Sequence, residues 1–289
     1  MKKIVGVIIV AMLAVSLQPA KAAPNPSIVI MDTAVDSTAP AFQGKIVQEV
    51  CIIEDWKCPN KRDFQEGVGS ATLPLPSVYQ NGFEHGTILT HIATQVNPNI
   101  NIIFVRIVGM TSTGKQMVYT ENAVIRVLDW ALTNKNKYNI VAVSGSFGHH
   151  RLGIGTNYCP VNQTLRNGIV KLQQNNIATI FATGNGYDAE RVDFPACITE
   201  AIAIGSTDSS DWISNFSNAG PDVDFYANGT YSTPVKNAVG TSAATVAFAA
   251  YWAKVYKGSY QSTYDYIKSI SQPAKNAKVT TNSSVNVLN

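Results

Sequence analysis

The sequence predicts an α/β fold in which a mostly parallel central sheet carries helices on both faces. Short, continuous apolar runs alternate with helical patterns along the chain, and such runs are typical of parallel strands that are covered on both sides. The strand candidates are residues 28–31, 100–108, 140–143, 177–182 and 201–205. Because strands and helices alternate, we expect a layered arrangement with the sheet in the middle.

Helical patterns lie between these strands. Residues 85–96 repeat apolar side chains on one face, residues 121–132 do the same, and residues 161–174 follow Pro160, a residue suited to the first turn of a helix. A further apolar run, residues 246–252, follows Ser242, which places this serine at a helix start.

Length and composition indicate one large domain. The chain has 289 residues, of which 45% are hydrophobic and 14% are charged, as expected for a sizeable buried core. The formal net charge is +3 and the basic residues are scattered, so neither nucleic acid nor a cationic partner is indicated. The sequence shows no internal repeat and no linker.

The N-terminus has the pattern of an export signal. Lys2 and Lys3 precede an apolar run over residues 4–17, and Ala20-Lys21-Ala22 forms a small-x-small cleavage site. A membrane anchor is the alternative, but the run is shorter than the roughly 20 residues that a spanning helix needs. We therefore predict a signal peptide at residues 1–22 and a mature domain at 23–289. The mature protein is expected to be secreted or periplasmic and free of the membrane.

Export permits disulfides, and the four cysteines all lie in the predicted mature part. Four cysteines allow three pairings, among which the sequence does not choose. We favour Cys51–Cys58 as a local loop staple and Cys159–Cys197 as a clamp between the loops that follow two strands. A metal site would need closer ligand spacing.

Four polar residues that could take part in catalysis stand at the ends of predicted elements. Asp32 ends an apolar strand, His85 begins a helix, Asn185 follows another strand, and Ser242 begins the apolar helix. A serine hydroxyl is a weak nucleophile until a base takes its proton, and an imidazole oriented by a carboxylate supplies that base. Ligands of parallel sheets bind outside the carboxyl ends of the strands, where Asp32, Ser146 and Asn185 are expected.

Four short motifs in register give these residues a context: "DTAVDS", "EHGTILTHIA", "ATGNG" and "GTSAATVAFAA". From about residue 27 to residue 252 the chain resembles the subtilase family of serine endopeptidases. The segment "FPACITEAIAIGSTDSSDWISNFSNAGPDVDFYANG" is also similar to the family's stretch between the oxyanion asparagine and the nucleophile. The resemblance implies a subtilisin-like three-layer α/β fold and an exported serine endopeptidase that hydrolyses peptide bonds.

The resemblance also implies a role for each residue. Ser242 is the nucleophile, His85 the general base and then acid, and Asp32 fixes the tautomer of the imidazole. The Asn185 amide and the Ser242 backbone N–H would stabilise the oxyanion.

For substrate binding, the resemblance assigns one wall of the primary pocket to Ser146, Phe147 and Gly148. It assigns Gly109, at the start of residues 109–111, to an edge that pairs with extended substrate. Gly184, next to the oxyanion asparagine, is included in the substrate site. No organic cofactor is required, and structural calcium is common in the family, although no acidic loop can be assigned to it here. The expected partner is a polypeptide substrate, and the expected state is a monomer.

Several residues have competing interpretations. Asp36 is a rival for Asp32, and the glycines beside Asn185 are also compatible with an ordinary turn. His91 lies about 240° around the helix from His85, so it is expected in the core or in solvent. His149 and His150 stand in a glycine-rich loop, where a solvated or substrate-side position is expected.

The sequence departs from the family pattern at Ala34, Ile88 and Val246, where glycine, histidine and proline are usual. Only about nine residues separate the predicted cleavage site from Asp32, so no pro-domain is apparent and a separate inhibitor or chaperone becomes a candidate partner.

Two other classes remain. "SGSFG" approaches the nucleophile elbow of an α/β-hydrolase with Ser146 as nucleophile, but that fold needs a later histidine, and His150 is the last one in the chain. The alternative within the family is a catalytically weak or inactive subtilase-like binding domain.

Overall fold

The computed structural model describes residues 25–55, 57–149, 159, 162–275 and 283–284. The strands are β1 (Ser27–Asp32), β2 (Ile46–Ile52), β3 (Phe64–Glu66), β4 (Asn101–Arg106), β5 (Ile140–Gly145), β6 (Ala178–Ala182), β7 (Ile202–Thr207), β8 (Phe225–Asn228), β9 (Thr230–Tyr231), β10 (Ala238–Val239), β11 (Gln272–Pro273) and β12 (Ser283–Ser284). The α-helices are α1 (His85–Val96), α2 (Glu121–Tyr138), α3 (Gln163–Gln174), α4 (Thr241–Lys254) and α5 (Tyr260–Ile270), with 3-10 turns at Pro40–Phe42 and Ser77–Tyr79.

Within the described residues, the main sheet has the strand order β11-β12-β8-β7-β6-β5-β1-β4-β2-β3. The strands from β12 to β2 in this order pair in parallel, whereas β3 and β11 pair antiparallel at the edges. Strand β1 lies between β5 and β4, so the chain reverses its direction of travel across the sheet at β1. Such a switch point opens a crevice at the carboxyl end of the strand, which here is Asp32.

The two faces of the sheet build two hydrophobic layers. Ile28 and Ile30 of β1 pack in one cluster with α1 and α4, whereas Val29 and Met31 pack in the other with α2 and α3. The alternation follows from the two-residue period of a strand. Helix α4 is buried along most of its length and contacts both the sheet and α1. The first turns of α1 and α4 carry His85 and Ser242, respectively.

The structure confirms the α/β fold and the strands expected near residues 28, 100, 140, 177 and 201. Helix α1 matches its predicted bounds, but α2 continues six residues beyond the expected end at Leu132. Its last turn is polar, so no apolar spacing marked it, and Asn139 ends it in a left-handed conformation. Helix α3 begins at Gln163 with Asn162 as its cap, whereas residues 160 and 161 lie outside the described part.

Both favoured disulfides are confirmed. Cys51 is bonded to Cys58 and Cys159 to Cys197. The predicted signal peptide lies outside the described residues. Among the helices that the structure describes, none combines the length and the apolar character needed to cross a bilayer.

Candidate active site

Asp32 occupies the last position of β1, with a side chain that is only 3% exposed. Its Oδ1 accepts the backbone N–H of Thr33 at 2.7 Å and lies 2.8 Å from Nδ1 of His85. The Thr33 hydroxyl lies 3.1 Å from the same oxygen and 2.8 Å from the carbonyl of Phe83. A buried carboxylate is costly unless hydrogen bonds satisfy it, and these contacts do so while fixing its direction.

His85 begins α1 and keeps 38% of its side chain exposed. With Nδ1 directed at Asp32, the tautomer that donates to the carboxylate leaves the Nε2 lone pair available to accept a proton. Burial lowers the pKa of His85, but the charge and hydrogen bond of Asp32 raise it, and the balance lies above the ordinary value of 6.5. The pair therefore forms an oriented base with one accessible nitrogen.

A glycine next to the histidine allows this contact. A Cβ added to Gly86 would lie 2.3 Å from the carbonyl oxygen of Ala34 and 2.4 Å from the ring of Phe104. No side chain fits there, so only glycine lets the first turn of α1 approach the end of β1.

Ser242 is the second residue of α4 and is linked to the loop after β5. Its hydroxyl donates to the carbonyl of Ser146 at 3.2 Å, and the Ser146 hydroxyl donates to the carbonyl of Ser242 at 3.0 Å. The Ser242 hydroxyl is therefore directed at Ser146 rather than bonded to the His85 ring. Ser146, the hydrogen-bond partner of Ser242, lines the same cleft as His85.

Asn185 follows β6 and reaches the start of α4. Its Oδ1 accepts the Thr241 backbone N–H at 2.9 Å and the Thr241 hydroxyl at 3.0 Å. These bonds engage the amide oxygen, so the Nδ2 N–H groups are the donors that this side chain can offer. Gly240 fits against this amide with a φ of +155°, and a Cβ there would lie 3.5 Å from Nδ2.

The loop that carries Asn185 is held by a residue that the sequence reasoning did not single out. Asn218 is fully buried; its Oδ1 accepts from the N–H of Gly186 at 2.8 Å and its Nδ2 donates to the carbonyl of Thr183 at 3.0 Å. The only signal was its place in the family-like segment "NFSNAG". Gly184 faces Asp193, since a Cβ there would lie 2.2 Å from its carboxylate. Its expected place in the substrate site stays a prediction.

A cleft of about 540 Å³ opens at this end of the sheet. Its described lining consists of Asp32, Thr33, Gly82, His85, Val108, Gln116, Met117, Val118, Tyr119, Ser146, Phe147, Gly148 and Lys236. The three residues predicted for one wall, Ser146 to Gly148, are among them.

Gly109 is not on the cleft wall. Its carbonyl accepts the N–H of Met117 at 2.8 Å, and the N–H of Thr111 donates to the carbonyl of Lys115 at 2.8 Å. Residues 116–119, which follow this hairpin turn, are among the lining of the cleft. The pairing of residues 109–111 with an extended substrate stays a prediction.

The rival residues have other surroundings. Asp36 accepts hydrogen bonds from Thr38 and Tyr79. His91 is 7% exposed with its ring 4.5 Å from that of Phe42, and burial lowers its pKa. The Nδ1 of His149 lies 3.1 Å from the Tyr119 hydroxyl at the cleft rim, whereas His150 lies outside the described residues.

The three departures from the family pattern are accommodated in the core. Ala34, Ile88 and Val246 are all at most 2% exposed and pack in the two hydrophobic layers. Among the residues that the structure describes, no group of three or more His, Cys, Asp or Glu side chains could hold a metal ion.

The parallel sheet with its switch point at β1, the Asp–His pair and a serine at the start of a buried helix define the class of subtilisin-like α/β proteins. The chain belongs to the Subtilase family, whose model matches residues 24–285. This match excludes the α/β-hydrolase alternative.

Sequence relatives are distant. Thermitase of Thermoactinomyces vulgaris is 26% identical over 218 residues, which cover 71% of this chain and 64% of the relative. Subtilisin amylosacchariticus of Bacillus subtilis subsp. amylosacchariticus is 23% identical over 214 residues, 71% of this chain and 47% of the relative. The chain thus spans less than two thirds of the length of these relatives.

Solved structures support the same fold. A cold-adapted subtilisin-like serine proteinase superposes with a TM-score of 0.66 at 22% identity, covering 91% of this chain and 89% of that one. A protease structure from Pseudoalteromonas arctica reaches a TM-score of 0.71 at 16% identity, covering 92% and 89%.

Proposed function

We propose that this protein is an exported serine endopeptidase that cleaves polypeptides through an acyl-enzyme on Ser242. The observation that carries the proposal is the 2.8 Å contact between His85 and Asp32 in the cleft where Ser146 holds the Ser242 hydroxyl. Family membership supports the same chemistry.

The first half of the reaction uses the oriented base. For the reaction, the Ser242 hydroxyl must leave the Ser146 carbonyl and donate to Nε2 of His85. The imidazole then takes the proton as the oxygen attacks the scissile carbonyl, and Asp32 stabilises the imidazolium. His85 next delivers the proton to the leaving amine, so that the C–N bond breaks and an ester to Ser242 remains. Water, activated by the same base, hydrolyses this ester.

The charge that develops on the carbonyl oxygen needs donors in fixed positions. Thr241 holds the amide oxygen of Asn185 through two hydrogen bonds, which supports Nδ2 as one donor. The backbone N–H of Ser242, at the start of a helix, is the second donor. Donors fixed before the reaction stabilise the transition state without reorganisation.

We propose export to the periplasm or the medium after cleavage of residues 1–22. The two disulfides support an oxidising compartment. A polypeptide is the proposed substrate of a monomer. A separate inhibitor or chaperone, and a structural calcium ion, remain predictions.

A fluorophosphonate probe tests the proposal directly. The folded, exported protein should be labelled on Ser242, and Ser242→Ala should abolish labelling while Ser146→Ala retains it. Labelling at Ser146 would overturn the assignment of the nucleophile. Absence of labelling in a demonstrably folded sample would favour the non-catalytic binding domain.

A further inference from the structure

One cation stands in the cleft without a part in the proposed chemistry. Lys236 lies in the loop between β9 and β10, lines the cleft together with His85 and Gly82, and keeps 59% of its side chain exposed. Its Nζ is 2.9 Å from Oε1 of Glu84, the residue directly before His85. The contact joins positions 152 residues apart and places the ammonium beside the candidate base.

Glu84 anchors this ammonium. Its side chain is only 14% exposed, and its Oε2 is buried without a hydrogen-bond partner among the described residues. Burial raises the pKa of Glu84, but the hydrogen bond and charge of Lys236 lower it, and the net direction is downward. Glu84 is therefore a carboxylate at neutral pH. Because this carboxylate is largely buried and its Oε1 is bonded to Nζ, it holds the lysine head at the cleft.

Lys236 is the lysine of the described cleft lining, which contains no arginine. The lining also contains one carboxylate, Asp32, whose Oδ1 contacts His85. The other side chains there are apolar or uncharged, apart from His85 itself. An ammonium has three N–H donors, and the contact with Glu84 uses one. Two donors remain for a group that enters the cleft.

We propose that Lys236 is a specificity-determining residue that favours substrates with an acidic side chain immediately after the scissile bond. The inference rests on the proposed function, because it assumes that His85 delivers a proton to the leaving amine. The substrate residue that follows the scissile bond then lies next to His85. The contact with Glu84 places the Lys236 ammonium near that position. An Asp or Glu carboxylate there would accept the two remaining N–H donors, whereas a basic side chain would be repelled.

Matched peptides that differ only in this residue, Asp, Asn or Lys, test the proposal. The parent enzyme should show a kcat/KM for the Asp peptide about fivefold above that for the Asn peptide at low ionic strength, the upper range for a partly exposed ion pair. The Lys peptide should be the poorest. Because the pair is solvent-accessible, 0.5 M salt should bring the ratio towards one.

Three variants separate this role from a general effect of charge. Lys236→Met should bring the Asp-to-Asn ratio to one or below, because Glu84 is left without its cation, whereas Lys236→Arg should retain the preference. Lys115→Met is the matched control, because Lys115 is exposed in the neighbouring hairpin but does not line the cleft. It should leave the ratio as in the parent.

The outcomes are distinct. An unchanged ratio in Lys236→Met, or an equal loss in Lys115→Met, overturns the inference while the proposed function stands. If the parent cleaves none of the peptides and does not react with the fluorophosphonate, the proposed function fails and the inference falls with it.

Discussion

Substitution of Asn185 by alanine removes the side-chain donor proposed for the oxyanion. The structure shows that this amide also accepts two hydrogen bonds from Thr241, through the backbone N–H and the hydroxyl. The variant therefore loses a donor in the transition state and leaves a buried N–H without its partner in the ground state.

The two losses have different magnitudes and different readouts. Removal of one oxyanion donor typically lowers kcat by about a hundred- to a thousandfold, or about 3–4 kcal/mol in the barrier. Thr241 is 1% exposed, so its N–H pays about 1–3 kcal/mol in stability when it is left unsatisfied. We expect kcat to fall, KM to change little, and the free energy of unfolding to drop by about that second amount.

Initial rates on a peptide substrate, together with urea unfolding of each variant, would measure both effects. Thr241→Val is the matched control, since it removes only the hydroxyl bond to Asn185 and should reduce kcat less than about tenfold. If the Asn185→Ala variant is folded and its kcat stays within about threefold of the parent, the proposed role of this amide in catalysis is refuted.

Three further predictions concern pH and covalent links. Because a neutral His85 is the base and its pKa is raised, kcat/KM should rise with pH through an apparent pKa above 6.5. A flat profile from pH 5 to 8 would contradict the role of His85. Asp32→Asn should lower kcat by about 10⁴-fold. The Cys159–Cys197 bond closes a separation of 38 residues, so its loss should lower the free energy of unfolding by about 4 kcal/mol through chain entropy. Loss of the Cys51–Cys58 bond, with a separation of 7 residues, should cost about 2 kcal/mol. Equal losses in urea unfolding would count against the entropic explanation. Burial raises the pKa of Asp224 from 3.8 to about 6, so the folded protein holds this proton more tightly than the unfolded chain. The free energy of unfolding should therefore fall by at most about 3 kcal/mol as pH rises between these values. Denaturant titrations of Asp224→Asn should lack this dependence on pH.

The sequence predicted the central elements because their signals are local. The apolar runs near residues 28, 140 and 177 became buried strands, since a parallel strand covered on both faces needs continuous apolar side chains. Helix α1 matched to the residue for a similar reason, as its apolar spacing starts and ends with the helix. Strand β2 escaped notice because its first half, Ile46 to Gln48, is only partly buried and mixes polar with apolar residues.

In the candidate site, too, the sequence marked the residues that have a local signal and missed those that do not. Asp32, His85, Asn185 and Ser242 could be named from the sequence because each follows or begins an element with a recognisable motif. The sequence also named the lining residues Ser146 to Gly148. It did not name the lining residues 116–119, because a hydrogen bond from Met117 to Gly109 places them rather than a periodic pattern.

By itself, then, the sequence determined the layered α/β architecture, the family, and the residue types available for chemistry at the strand ends. The tertiary structure alone decided which of these groups meet. It selected one cysteine pairing among three, directed the Ser242 hydroxyl at Ser146, and joined Lys236 to Glu84 across 152 residues. The physical reason is that periodicity reports which face of an element is buried, whereas contacts between distant residues depend on how the sheet twists and how its loops close.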